Sequence, residues 1–123
     1  MRAALTSRER QLADEIAAHD WAGAPYYPSG AAHATPETGA PRLEDHEAER
    51  VRVNVMWVVA QCLGYEDPEF NPDAFAVACG VTRDYRCTPF GGPSTIIREG
   101  LRIGMDGSYS RPGEGPHGAP PVT

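Results

Sequence analysis

Only 20 of the 123 side chains are Leu, Ile, Val or Phe, whereas Gly and Pro together number 25. Folding must offset the conformational entropy of each residue that it orders, and burial of large apolar side chains supplies most of that free energy. A chain with so few of them and a formal net charge of -6 leans toward disorder over part of its length. We therefore expect one small domain with flanking segments that are either flexible or ordered by a partner.

A first helix is predicted over residues 6–22. Thr6 followed three residues later by Glu9 matches a capping box, in which each side chain satisfies a free backbone N–H of the other residue. Leu12 and Ile16, with the alanines between them, form a narrow apolar stripe, and charged residues cover the opposite face. Because so narrow a stripe does not fold alone, it must pack on the rest of the chain or on a partner.

The next segment, residues 23–41, is typical of an extended arm or linker. Pro, Gly and Ala dominate it, and Tyr26 and Tyr27 are its only large apolar side chains. A structureless loop of this length is uncommon inside a compact domain. The arm is therefore either mobile or lies along a surface with its two tyrosines as anchors, since tyrosine offers a large contact area at a low entropic cost.

Residues 42–64 show the strongest helical pattern of the chain. Four acidic residues in LEDHEAER precede an apolar stretch, an order that the helix dipole favours, and Gly64 is predicted to end the helix as a left-handed cap. The alternative is a strand, because Val51, Val53, Val55, Trp57 and Val59 also alternate with period two. Helical spacing of the apolar residues favours the helix.

Shorter elements are predicted after the acidic turn that follows. Pro72 near the first position and Gly80 as the stop delimit a third helix over residues 72–80, and residues 94–101 are predicted as a fourth. Beyond Leu101 a hairpin competes with a helix, because apolar residues alternate there and Asp106-Gly107 is a favoured hairpin turn. We expect the helices to share one core, composed of Leu12, Ile16, Val51, Val55, Trp57, Val59, Leu63 and Phe75.

The predicted fold is mainly α, a small three- or four-helix domain with a long Pro/Gly/Ala-rich arm and a Pro/Gly-rich C-terminal tail. A short C-terminal β-hairpin is the alternative for part of that tail. The expected segments are an N-terminal helix at 1–22, the arm at 23–41, a helical core at 42–105 and a hairpin or tail at 106–123.

Composition disfavours several classes of protein. The apolar runs fall short of the roughly 20 residues of a membrane span, and the start of the chain lacks the apolar core of a signal peptide. We therefore expect no membrane partner and a cytoplasmic location, or a place within a virion if the gene is phage-encoded. Three cysteines at spacings of 17 and 8 residues fit neither a disulfide framework nor a zinc site, so no metal or cofactor is predicted.

Catalytic motifs are also missing from the sequence. It holds no GxSxG elbow and no lysine, its histidines stand singly, and only Cys87 beside Arg86 has a charge neighbour that would favour a thiolate. We predict a non-enzymatic protein-protein interaction or assembly protein, with a phage structural or accessory component as one form of it. The partner would be another protein or a second copy, and the predicted contact residues are Tyr26, Tyr27, Phe90 and Tyr109.

The alternative function is a small DNA-binding regulator. The run AVACGVTRDYR resembles the turn of a helix-turn-helix, and residues 74–111 hold five Arg against three acidic residues. Residues 81–88 would then read DNA, with Arg83 and Arg86 on bases or phosphates and Arg98 and Arg102 on phosphates. The pI of about 5.1 disfavours nucleic acid, because affinity for the phosphate backbone comes from clustered basic residues.

Overall fold

The structure, a computed structural model, describes residues 1–23, 42–92 and 94–114. Five helices occupy these residues: α1 Ser7–Ala18, α2 Asp45–Glu66, α3 Pro72–Ala78, α4 Arg83–Arg86 and α5 Ile96–Glu99. The prediction of a small, mainly α fold is therefore confirmed. Residues 24–41 of the predicted arm, including Tyr26 and Tyr27, and residues 115–123 of the predicted hairpin or tail lie outside the described residues.

The predicted capping box begins α1. Thr6 Oγ1 accepts the N–H of Glu9 at 3.1 Å, and Glu9 Oε1 accepts the N–H of Thr6 at 2.9 Å. These bonds satisfy N–H groups that the first turn of a helix leaves without helical partners. The helix ends before residue 22, its predicted end, because Asp20 Oδ1 accepts the N–H groups of Ala22 and Gly23 and forms a turn there.

Residues 42–64 were predicted as a helix with a strand as the alternative, and the structure has the helix α2 there. Its predicted end at Gly64 is wrong, since the helix runs on to Glu66 and the extended Asp67 donates its N–H to Leu63 O at 3.0 Å. Gly64 instead lies buried within the helix, where the ring of Tyr109 fills the space that a Cβ would need. This glycine therefore permits a close packing contact and does not terminate the helix.

The core lies where α3 packs against α1, α2 and α5. Phe70 and Phe75 are fully buried and meet edge to face, with ring centroids 5.5 Å apart. Of the predicted core residues, Ile16, Leu63 and Phe75 are buried. The others lie at its edge: Leu12, Val55, Trp57 and Val59 are partly buried against the core, and Val51 is half-buried outside it.

The face that α2 buries differs in part from the predicted one. Val53, Met56, Ala60 and Leu63 point into the core, whereas the predicted Val55 and Val59 are only partly buried and the neighbouring Val58 is 67% exposed. The reason is that α2 carries apolar residues on both faces, so that helical periodicity alone does not distinguish the inner face from the outer one.

The C-terminal part of the described chain folds back on α2. Helix α5 is shorter than predicted, and Ile103 and Tyr109 then form one antiparallel bridge around the turn at Asp106 and Gly107. Gln61, buried in α2, binds the backbone of Arg102 and Ser110 on either side of this hairpin. The hairpin alternative for this segment is therefore present, in a very short form.

Candidate interaction surface

One hydrogen-bonded turn carries the most exposed aromatic side chain of the described residues. In residues 86–92, here called the Phe90 turn, Thr88 donates its N–H to Gly92 O at 2.7 Å and accepts the N–H of Gly91 at 2.9 Å. Gly91 adopts a φ of 86°, a left-handed conformation that favours glycine. These bonds hold Phe90 at the tip, where its side chain is 98% exposed.

A second turn has the same construction. Gly104 donates its N–H to Ser108 O at 2.8 Å and accepts the N–H of Gly107 at 3.0 Å, and Gly107 has a φ of 86°. The side chain at the tip of this turn is Met105, which is fully exposed. Both turns thus hold a large apolar side chain in water on a backbone that hydrogen bonds have already ordered.

A cleft of about 600 Å³, here called the Trp21 cleft, shares Asp84 with a smaller cleft whose walls include Thr88 and Pro89 of the Phe90 turn. Residues from the end of α1, the first half of α2 and the start of α4 form its walls. Its lining side chains are mostly charged or aromatic: His19, Asp20, Trp21, Arg42, Asp45, His46, Glu49, Arg52, Asp84 and Tyr85.

A buried carboxylate holds the walls of the Trp21 cleft together. Glu49 Oε1 accepts the backbone N–H of Thr82, the residue before α4, at 3.1 Å, and Glu49 Oε2 accepts from Arg52 at 2.7 Å. A charged hydrogen bond of this kind compensates the cost of removing a carboxylate from water. Glu49 is therefore a structural residue that fixes α4 against α2.

The two ends of the arm meet at the rim of the same cleft. Leu43 donates its N–H to Ala22 O at 3.0 Å, and both terminal nitrogens of Arg42 bind the Asp20 carboxylate at 3.1 Å. The Arg42 guanidinium lowers the pKa of Asp20. The described residues on either side of residues 24–41 therefore lie close together next to the cleft.

Two of the predicted contact residues, Phe90 and Tyr109, lie in the described part of the chain and differ in their exposure to water. Phe90 is exposed as an interaction residue requires, whereas Tyr109 is half-buried, with its ring against Gly64 and its centroid 6.4 Å from that of Phe70. Burial raises the pKa of Tyr109. Tyr109 thus contributes to packing within the chain.

The four arginines of the DNA hypothesis have different surroundings. Arg83 is exposed, but Arg86 donates from Nε to Val81 O at 2.8 Å and Arg98 forms an ion pair with Asp73 at 2.9 Å. Arg102 is half-buried beside Gln61, and α4, where the recognition helix would lie, is four residues long. DNA binding stays a prediction, which this arrangement does little to support.

Sequence reasoning missed Met105 and the aromatic pair Trp21 and Tyr85. Met105 precedes Asp106-Gly107, and the left-handed glycine of that pair was a signal for an exposed turn tip. Trp21 and Tyr85 are 64 positions apart in the sequence, and only the packing of α1, α2 and α4 brings them to one cleft. No local pattern connects them.

Two further findings describe the chemistry of the described residues. They contain no group of three His, Cys, Asp or Glu side chains placed to hold a metal ion, and none of their helices is both long and apolar enough to cross a membrane.

Comparisons of the chain with models of protein families, with curated proteins and with solved structures gave no match.

Proposed function

We propose that this protein is a non-enzymatic interaction module that binds another protein chain through the Phe90 turn and the adjoining Trp21 cleft. The observation that carries this proposal is the exposure of Phe90 on an ordered backbone. Burying a phenylalanine side chain contributes roughly 1.5–3 kcal/mol, and the folded chain alone does not gain this free energy. A partner that buried Phe90 in an apolar pocket would gain it on binding.

The hydrogen bonds of the turn add to this argument. Association costs the conformational entropy of every loop and side chain that it immobilises, so a tip ordered in advance binds at a lower cost. Central aromatic residues that fill a pocket on the partner supply much of the free energy of protein-protein binding. Phe90 has the exposure and the support that such an anchor needs.

The experiment is site-specific photocrosslinking of the full chain in the cells that express it naturally. Benzoylphenylalanine is introduced at position 90 and, as a control, at position 77, because Val77 is also an exposed apolar residue but lies on α3. We expect a discrete adduct from position 90, with another protein or with a second copy, that position 77 does not give. No adduct at position 90, or the same adducts at both positions, would overturn the proposal.

A further inference from the structure

The Trp21 cleft carries more negative than positive charge. Four carboxylates line it, those of Asp20, Asp45, Glu49 and Asp84, against the two guanidinium groups of Arg42 and Arg52. Both guanidinium groups already bind a carboxylate of the same cleft, Arg42 that of Asp20 and Arg52 that of Glu49. The surplus therefore resides on Asp45 and Asp84, which form no ion pair within the described part of the chain.

These two carboxylates are not equivalent. Asp45 is the first residue of α2, where the partial positive charge of a helix start favours a carboxylate. Asp84 lies on the four-residue helix α4, and it lines both the Trp21 cleft and the smaller polar cleft beside Thr88. Asp84 is exposed and forms no ion pair among the described residues, so its carboxylate is accessible to a cation from outside the chain.

Aromatic rings form part of the same walls. Trp21 is partly buried and uses its indole N–H on Ile16 O at 2.8 Å, so that a ligand can contact only the exposed part of its ring and not its N–H. The ring of His19 lies at a centroid distance of 4.2 Å from it, and Tyr85 contributes a second aromatic wall. Aromatic faces beside a carboxylate are a combination that binds cations, and the planar guanidinium group stacks best on such rings.

We infer that the Trp21 cleft receives an arginine side chain of the protein partner, which binds the Asp84 carboxylate and stacks on Trp21 or Tyr85. This inference rests on the proposed function, because it names the chemistry of the partner that the interaction surface recognises. Phe90 would supply the apolar contact, and the cleft beside it would select a basic residue on the partner. Charge complementarity of this kind gives specificity and a faster association rate more than raw affinity.

The test is an NMR titration of the full chain with a hexa-arginine peptide, followed at the indole N–H signals of its two tryptophans. Trp57 serves as the internal reference, because it does not line the cleft. Its indole N–H donates to Ile97 O at a distance of 2.8 Å. We expect a saturable shift at Trp21 and none at Trp57. Shifts of equal size at both, or no shift, would overturn the inference.

Matched variants separate recognition from the general attraction of a basic peptide to an acidic protein. Asp84→Asn should weaken the binding of hexa-arginine at least threefold, while Asp14→Asn, which removes an exposed charge from α1 away from the cleft, should leave it unchanged. Equal weakening by the two variants, or equally tight binding of hexa-lysine, would contradict an arginine site. A crosslinked partner at position 90 without any arginine binding would refute this inference and leave the proposed function intact.

Discussion

The indole ring of Trp57 lies against Gly100 so closely that a Cβ on Gly100 would overlap it. The same indole donates its N–H to Ile97 O at 2.8 Å, so this one side chain fixes α5 on α2. Gly100 has a φ of -78°, which any residue can adopt, and the need for glycine is therefore purely steric.

Gly100→Ala is expected to destabilise the fold by about 1–3 kcal/mol, the usual cost of overpacking a filled site. Gly92→Ala is the matched control, because a Cβ there would be at 3.6 Å from its nearest neighbour, an ordinary contact. Urea unfolding of both variants measures the difference. Equal stabilities would show that the Trp57 ring moves aside without cost.

Gly64 and Tyr109 form a second steric pair, and here two effects oppose each other. Alanine is favoured over glycine inside a helix by roughly 1 kcal/mol, but a Cβ on Gly64 would overlap the Tyr109 ring. We expect Gly64→Ala to destabilise the natural chain by about 1–3 kcal/mol. In a Tyr109→Ala background the same change should stabilise it, and a double-mutant cycle measures this change of sign.

Gln61 connects α2 to both sides of the C-terminal hairpin. Its Nε2 donates to Arg102 O at 3.2 Å and to Ser110 O at 3.0 Å, and its Oε1 accepts the N–H of Arg102 at 2.9 Å. Gln61→Leu leaves the Arg102 N–H and Ser110 O without these partners and should cost about 1–3 kcal/mol. Arg102 O keeps its hydrogen bond from the Ser110 N–H at 2.8 Å. Amide hydrogen exchange at Arg102 should accelerate in this variant and stay unchanged in Asn54→Leu, which alters an exposed residue of the same helix.

Arg2 links the N-terminus to two carboxylates, and this link predicts a pH dependence. Arg2 lowers the pKa of Glu9, and the backbone N–H of Glu69 together with Arg2 lowers the pKa of Asp67. A carboxyl group with a lowered pKa in the folded state stabilises the fold above its unfolded pKa, and this contribution is lost as the pH falls through the folded value.

Arg2→Gln should therefore lower the urea midpoint clearly at pH 7 and progressively less as the pH falls below about 4. Arg8→Gln, a change at an exposed arginine of α1, is the control and should shift the midpoint little at either pH. A deficit of Arg2→Gln that is the same at pH 7 and pH 3 would show that its effect is not electrostatic.

The three cysteines should react at different rates. Burial raises the pKa of the Cys79 thiol to about 12, so that at pH 8 only about one molecule in ten thousand carries the thiolate. Cys62 and Cys87 are only partly buried. Alkylation with iodoacetamide, mapped by mass spectrometry, should therefore spare Cys79 until urea is added. Labelling of Cys79 at the rate of Cys62 in the native protein would contradict its burial.

Local patterns in the sequence were sufficient for the elements whose cause is local. The Thr6–Glu9 capping box and the Pro72 and Gly80 boundaries of α3 depend on neighbours within a few residues, and the structure confirms them. The helical spacing of the apolar residues likewise predicted a mainly α fold, which the structure shows. The turn at Phe90 also has a local cause, because Pro89 and Gly91 beside it favour a turn.

Long-range packing decided everything that the local pattern left equivalent. Because α2 is apolar on both faces, its sequence does not determine which face is buried. The packing of the other helices against α2 buries Val53 and Met56 and leaves Val58 exposed. The local pattern at Gly64 predicted a helix end, but in the folded protein this glycine makes room for the ring of Tyr109, 45 residues later in the chain. The Trp21 cleft arises in the same way, since its walls come from segments that are distant in the chain and meet only in the folded protein.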